Sequence, residues 1–436
     1  MPSLLHAVAR NPALPPELLG RLIADADEEL AGALADRVDL APDQVRQLAE
    51  RSEFAALLLV ADGRLTSGDV DPLARPTVAV ALVEQGRGEP GWARLLALVP
   101  DPYVRQRLAT CPELPDEVAE LLAADESDDV VAELAVNTTW LDLLVRLAAH
   151  PSAMVRRWAA ANEAMPAESL TALLDDPEVL VREQAAGNPT TPGAAAARLV
   201  ADHAMIRQAL AAHPGLPAET YQRLTRDEIP WVRSNLAQNP GIDERLIRHL
   251  AEDDGHDVRR SLAQHPAVPL DVLARLATTV KIGPILLPRI AGADPTELAE
   301  LAASPEPRVR ALVAARRDLP SALRDQLAAD PVAKVVKSVA PDPDLSTAQL
   351  TAALDRFGTT VAAAVAANPG TPGALLDRIA ATPTVPVKAL RAVAAHPNSS
   401  PAALATCLAS PDSRTAQAAA ANPALPQAVM VELASS

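Results

Sequence analysis

Seven arginines stand at one recurring position along this 436-residue chain: Arg105, Arg156, Arg182, Arg207, Arg233, Arg259 and Arg310. A guanidinium presents a rigid fork of donors, so such a row has the chemistry to hold carboxylates or phosphates two bonds at a time. An aspartate about six residues earlier, as Asp176 before Arg182, Asp227 before Arg233 and Asp253 before Arg259, can pair with the arginine within or between repeats. A residue repeated unit after unit serves the same structural purpose in each. The spacing therefore predicts a structural ion-pair ladder, with anion binding as the competing reading.

The aromatic residues are few enough to discriminate. Trp92, Trp140 and Tyr221 fall where other units carry Leu or Ile, which predicts core positions. Trp158 does not; its counterparts Arg107, Gln184, Ala209, Asn235 and Ser261 mark a variable, solvated position. Trp231 aligns with Tyr103, Met154, Leu180 and Met205, and with Asp129 and Asp257 in other units. Met154 and Trp158 are four residues apart and share a helix face. Tyr103, Met154, Trp158, Met205 and Trp231, edged by Arg107 and Arg157, have the composition of a partner-binding strip. The alternative is that the same column packs between adjacent units.

The remaining reactive types point to structure. His213, His265 and His396 replace an Asn at a helix end, which capping explains. Cys111 shares that position, and Cys407 occupies a Leu position and reads as buried and inert. His249 and His256 lie with Asp253, Asp254 and Asp257 at an ordinary turn between helices, so no metal site is assigned. The acidic run Asp125, Glu126, Asp128, Asp129 and Glu133 reads as a solvated turn that also suits a basic partner. Gly86 to Gly91 is a flexible turn with no strand before it. No catalytic, cofactor-binding or metal-binding residue is assigned, and no cofactor is expected.

These positions recur because the chain is written in one phrase: Ala-x-Asn-Pro-x-Leu-Pro-x-x-Leu-Leu-x-x-Leu-Ala-x-Asp-x-x-x-Val-Arg-x-x-Leu. Anchored on the Asn of Asn-Pro, it returns at Asn11, Arg37, Asp62, Gln85, Cys111, Asn137, Asn162, Asn188, His213, Asn239, His265, Ala291, Arg316, Asp342, Asn368, His396 and Asn422. That makes 17 units, most of them 25 or 26 residues apart. Fixed-period self-similarity marks a solenoid, in which each unit buries its apolar face against its neighbours. Each unit reads as two short helices. The first opens at a proline, which lacks the N–H that has no partner in a first turn. The second carries Val-Arg-x-x-x-Leu or Ala, as Val232 to Leu236, with its apolar pair toward the core. It ends at Asn or His before Pro, where Asn tolerates a left-handed residue and Pro cannot continue the helix. The expectation is one all-α solenoid over residues 1–436, with degenerate units at 52–100 and 278–296 that read as distorted repeats, insertions or joints.

The Asn/His-Pro-x-Leu/Thr-Pro-x-x-Leu-Leu phrase with a following Asp and Val-Arg resembles the leucine-rich repeat variant family of bacterial proteins. The resemblance covers nearly the whole chain. It implies a right-handed superhelix of paired short helices, HEAT-like in appearance. One described form of that family carries an iron–sulfur cluster in a cysteine-rich N-terminal segment. Two cysteines are too few for such a site, so no cluster is carried over.

Charge narrows the function. The formal net charge is -17, and residues 1–200 hold 16 Lys/Arg against 32 Asp/Glu. An acidic surface disfavours nucleic acid and anionic lipid. Met1 to Asn11 lacks a signal-peptide pattern and no apolar run spans a bilayer, so a cytoplasmic location is expected. The expected function is a non-enzymatic scaffold for a protein or extended peptide, of basic character where it meets the acidic half. The alternative is a HEAT-like nucleic-acid binder using the arginine row, which the net charge opposes. The apolar runs Ala416 to Ala421 and Val429 to Leu433 leave the last unit without a polar cap, which suits end-to-end self-association or a further neighbouring segment.

Overall fold

A computed structural model describes residues 4–283 and 285–435. Every regular element among them is helical: α-helices in pairs, with two 3-10 turns at Ser67–Asp69 and Ala197–Leu199. In one representative unit the first helix, Ala218–Leu224, opens after Pro217, and the second, Pro230–Leu236, ends before Asn239-Pro240. Helices this short are marginal alone. They persist because each second helix packs on the one before it, from Pro102–Ala109 through His256–Leu262 without interruption. Val232 and Leu236, four residues apart, are fully buried at that contact, as are Val104 with Leu108 and Val258 with Leu262. Burying one such side chain contributes about 1.5–3 kcal/mol. The fold is an α-solenoid of two-helix repeats.

The anchor residue works differently from the sequence expectation. Among the described residues no non-glycine has a positive φ, and Asn162 and Asn188 lie in extended backbone. The left-handed helix end is therefore absent at these anchors. Instead the side chain reaches back one repeat. Asn188 Nδ2 donates to Ala160 O and Asn162 O, both at 2.9 Å, and Asn239 Nδ2 donates to Ala211 O at 2.7 Å and His213 O at 2.9 Å. The amide oxygen meanwhile accepts the N–H two residues on, as Thr190 N–H to Asn188. One buried amide thus ties its own turn and closes the orphan carbonyls of the preceding helix.

Arginine performs the same task elsewhere. Arg37 Nη1 donates to Ala9 O at 3.0 Å and Asn11 O at 2.6 Å, and its charge is met by Asp39 two residues on. Arg316 repeats the arrangement with Ile290 O, Ala293 O and Asp318. At the third unit the donor is Arg64 rather than the expected anchor Asp62; it bonds Arg37 O and Ala35 O and pairs with Asp62. Asp342 is a buried exception, with an Oδ2 that accepts no hydrogen bond. Arg317 supplies the donor to Ala314 O there.

The chain divides into two compact units, one of Met1–Leu65 with Gly283–Ser436, the other of Thr66–Ile282. Both divisions fall in the stretches where the repeat phrase is weakest. Between residues 52 and 100 the positive φ angles of Gly63, Gly86 and Gly91 make turns that an ordinary repeat lacks. Among the described residues between Thr279 and Pro288 no helix forms, and the next, Pro288–Ala291, is a single turn. Within the first unit the helix Leu4–Ala9 packs on Ser413–Ala420 and Gln427–Ser435. Within the second, Gly193 is required by close approach: a Cβ there would lie 1.9 Å from Gly215 O of the next repeat.

Candidate functional site

Six of the seven arginines of the row hold a carboxylate, but a different one from that the sequence suggested. Arg156 Nε and Nη2 grip both oxygens of Asp176 at 2.8 and 3.1 Å, twenty residues ahead in the next repeat. Arg105 does the same with Asp125, Arg182 with Asp202, Arg207 with Asp227, Arg233 with Asp253 and Arg310 with Asp330. The aspartate six residues earlier contributes only its backbone carbonyl, as Asp176 O to Arg182 Nη1 at 2.8 Å. Asp125, Asp176, Asp227, Asp253 and Asp330 also accept the N–H two residues on, and Asp202 that of the next residue, His203, so each organises the turn into its own second helix. Burial opposes ionisation of Asp125, Asp176 and Asp253. The guanidinium bond, the backbone N–H and the local positive charge outweigh it and hold all three below the usual carboxylate range. For Asp202 the hydrogen bond from Arg182 is the leading cause of the same direction.

Arg259 is the exception and explains the rule. Twenty residues ahead stands Thr279, still inside the helix Leu270–Thr279, so no carboxylate is offered and the Arg259 Nε has no partner. Its Nη1 keeps the carbonyl of Asp253. The ladder is therefore a connector between successive repeats.

The apolar column is a separate feature, and all of it lies in the Thr66–Ile282 unit. Tyr103, Leu180, Met205 and Trp231 each precede a fully buried Val or Ile at one register position of the second helices and turn outward; Tyr103 and Trp231 are each 55 % exposed. Trp158 is 38 % exposed and Met154 half-buried one turn earlier on the same helix. Asp129 interrupts the column after Tyr103, and Asp257 ends it after Trp231; both are exposed. The flanking arginines are not equivalent. Arg107 is bound by Glu84 at 2.9 and 2.5 Å, so it braces the neighbouring repeat. Arg157 stacks over the Trp158 ring with its guanidinium carbon 5.3 Å from the centroid. That contact stiffens the indole and lends the strip a positive edge.

The other aromatic expectations divide. Trp92 and Tyr221 are buried, and the Tyr221 hydroxyl donates to His213 O at 2.7 Å. Trp140 is only half-buried, because the chain turns into a helix just after it, and the Arg146 guanidinium sits 5.9 Å from its ring. His213 Nδ1 accepts Gly215 N–H and its Nε2–H donates to Thr191 O; His265 and His396 make the corresponding bonds. Burial raises both thiols, Cys111 and Cys407, to about 11, so neither forms a thiolate near neutral pH. His249, Asp253 and Asp254 line a surface hollow of about 260 Å³, but Asp253 is held by Arg233. Among the described residues no group of three or more His, Cys, Asp or Glu could hold a metal ion. None of the described helices is long and apolar enough to cross a membrane.

The family model of the leucine rich repeat variant matches residues 5–27. A solved structure described as a leucine-rich repeat variant with a novel repetitive protein structural motif is 20% identical. It covers 52% of this chain and 87% of its own, with a TM-score of 0.32. No curated protein matches the chain.

Proposed function

We propose that this α-solenoid, which matches the leucine rich repeat variant model at residues 5–27, is a non-enzymatic scaffold that docks a protein or extended peptide on the column Tyr103, Met154, Trp158, Met205 and Trp231. The observation that carries this reading is the outward turn of Tyr103, Leu180, Met205 and Trp231 at one register position of their second helices, with the exposed Trp158 one turn on from Met154. A solvent-facing Trp or Tyr contributes nothing to the core, yet at an interface it buries a large rigid surface at low entropic cost. Asp129 and Asp257, in the same column, favour a partner whose apolar side chains are flanked by cationic ones. Phosphate binding through the ladder is disfavoured, since six of its seven guanidiniums already hold a carboxylate.

The test is affinity capture from a native-source extract with wild type and Trp158→Ala/Trp231→Ala, followed by a binding isotherm of the retained protein on both. The reading requires a protein held by wild type and weakened at least about tenfold by the double variant, with an unchanged melting midpoint. Equal retention by both would remove it, and a fall in melting midpoint would assign the tryptophans to packing.

A further inference from the structure

The unit containing residues 283–436 carries a second surface of opposite chemistry. Its second helices are Pro307–Val313, Ala333–Val339, Thr359–Ala366, Val387–Ala395 and Ser413–Ala420. They pack on one another in that order. In a chain of net charge -17, these five helices contain no Asp or Glu. Two of their basic residues are structural: Arg310 grips Asp330, and Arg391 Nη2 reaches both oxygens of Asp412 at 3.1 and 3.0 Å. Arg308, Lys334, Lys337, Lys388 and Arg414 are exposed, Arg308 and Lys334 with interactions of their own. Three of them are among the four lysines of the whole chain, the fourth being Lys281.

Their register is the informative point. Arg308, Lys334, Lys388 and Arg414 directly precede the buried Val309, Val335, Ala389 and Thr415. That is the position held by Tyr103 and Trp231 in the other unit. Thr360 fills it on the middle helix, and Val387, 47 % exposed, stands beside Lys388. The outward-facing column is thus apolar in one unit and cationic in the other, on the same backbone.

We infer that this cationic column, from Arg308 to Arg414, is a docking surface for an extended acidic polypeptide segment. Packed helices lie about 8–10 Å apart. An extended chain rises about 3.3 Å per residue, so every third side chain advances about 10 Å. Carboxylates at every third residue therefore keep step with successive helices, and about 13 residues cover the five layers. A nucleic-acid strand carries a charge about every 3.4 Å, roughly three times too dense for one cation per layer, and the acidic remainder of the chain repels it. The Thr360 hydroxyl and the exposed Val387 give the middle of the column hydrogen-bonding and apolar contacts that a peptide can use.

Fluorescence anisotropy on the full chain tests this with a labelled peptide of about 15 residues repeating Glu-Ser-Gly, which places a carboxylate every 10 Å or so when extended. An isomer with its glutamates in one block, a lysine analogue and a single-stranded oligonucleotide of about the same length are the comparison probes. The spaced peptide should bind at least about fivefold tighter than the block isomer, and the lysine analogue should not bind. Lys334→Glu/Lys388→Glu should weaken it at least about tenfold with the melting midpoint unchanged. Lys334→Gln/Lys388→Gln should weaken it less. Arg226→Glu/Arg245→Glu, in the other unit, should change it by less than about twofold. Equal binding of spaced and block peptides, insensitivity to the Lys334/Lys388 reversal, or tighter binding of the oligonucleotide than of the peptide would each overturn the inference.

Discussion

Asn11 stands to Asn422 as each anchor stands to the one before it. Its Nδ2 donates to Ala420 O at 3.0 Å and Asn422 O at 2.7 Å. Asn422 in turn donates to Ala394 O and His396 O, both at 2.8 Å. The first repeat therefore sits on the last in the register of sequence neighbours, though about four hundred residues separate them.

Asn11→Ala removes both bonds and leaves two buried carbonyls unsatisfied, a cost of roughly 1–3 kcal/mol. Asn239→Ala removes the same pair of bonds between repeats that the chain itself holds together. Hydrogen exchange should separate them. Asn11→Ala should release Leu4–Ala9 and Gln427–Ser435 selectively, whereas Asn239→Ala should weaken the middle repeats and leave those two helices protected. Unchanged protection of Leu4–Ala9 in Asn11→Ala would show that the amide does not hold the ends together.

The guanidinium ladder should behave as a set of inter-repeat bolts. Asp176→Asn retains the turn acceptor but deprives the half-buried Arg156 of its counter-charge, which should cost roughly 2–3 kcal/mol. Asp175→Asn, one residue away and exposed, should cost less than about 0.5 kcal/mol. Equilibrium unfolding in urea gives both values, and equal effects would refute the assignment.

The anchor histidines should make the protein acid-sensitive. Burial lowers His213 and His265 below the usual imidazole value, against the raising effect of the carbonyls they bond. Protonation also destroys the Nδ1 acceptor used by Gly215 N–H and Ala267 N–H. The unfolded imidazoles take up protons near pH 6.5 while the folded ones resist, so the unfolded state binds more protons just below that pH. This stability is complete above about pH 6.5 and is lost as pH falls further. Melting midpoints between about pH 7.5 and 5 should decline, and His213→Asn/His265→Asn should flatten the decline, since Asn serves the same anchor at 188 and 239. An unaltered slope in the double variant would place the sensitivity elsewhere.

Much of this architecture was legible because every repeat solves the same packing problem, so Val232 and Leu236 announce the core face by recurring as Val104 and Leu108. The logic between repeats was less legible. Asn, His and Arg at the anchor look like alternatives for ending a helix. Their shared property, a side-chain N–H aimed at the previous repeat, appears only when the carbonyls of residues about 26 earlier are in place. The ladder was legible but its partner was not, for a related reason: the aspartate six residues back is near in sequence, but the extended reach of Arg156 carries its fork across to Asp176. The exposure of Trp158 and Trp231 had no sequence signature beyond a break in pattern, because an outward and an inter-repeat aromatic look the same in a string. The cationic column escaped notice because the charge of the whole chain masks five positive side chains spread over about a hundred residues.

The Asn11–Asn422 contact has an evolutionary and engineering corollary. Where a first repeat reads the last as it would any predecessor, the order of repeats along the gene is no longer fixed by the order of repeats in space. A circular permutant that links the two ends through a short flexible joint and opens the chain at an exposed turn between helices, such as Pro383-Thr384, should preserve the anchor contacts of its unit. Duplication or loss of whole repeats then alters the length of the stack while leaving each interface of the same kind.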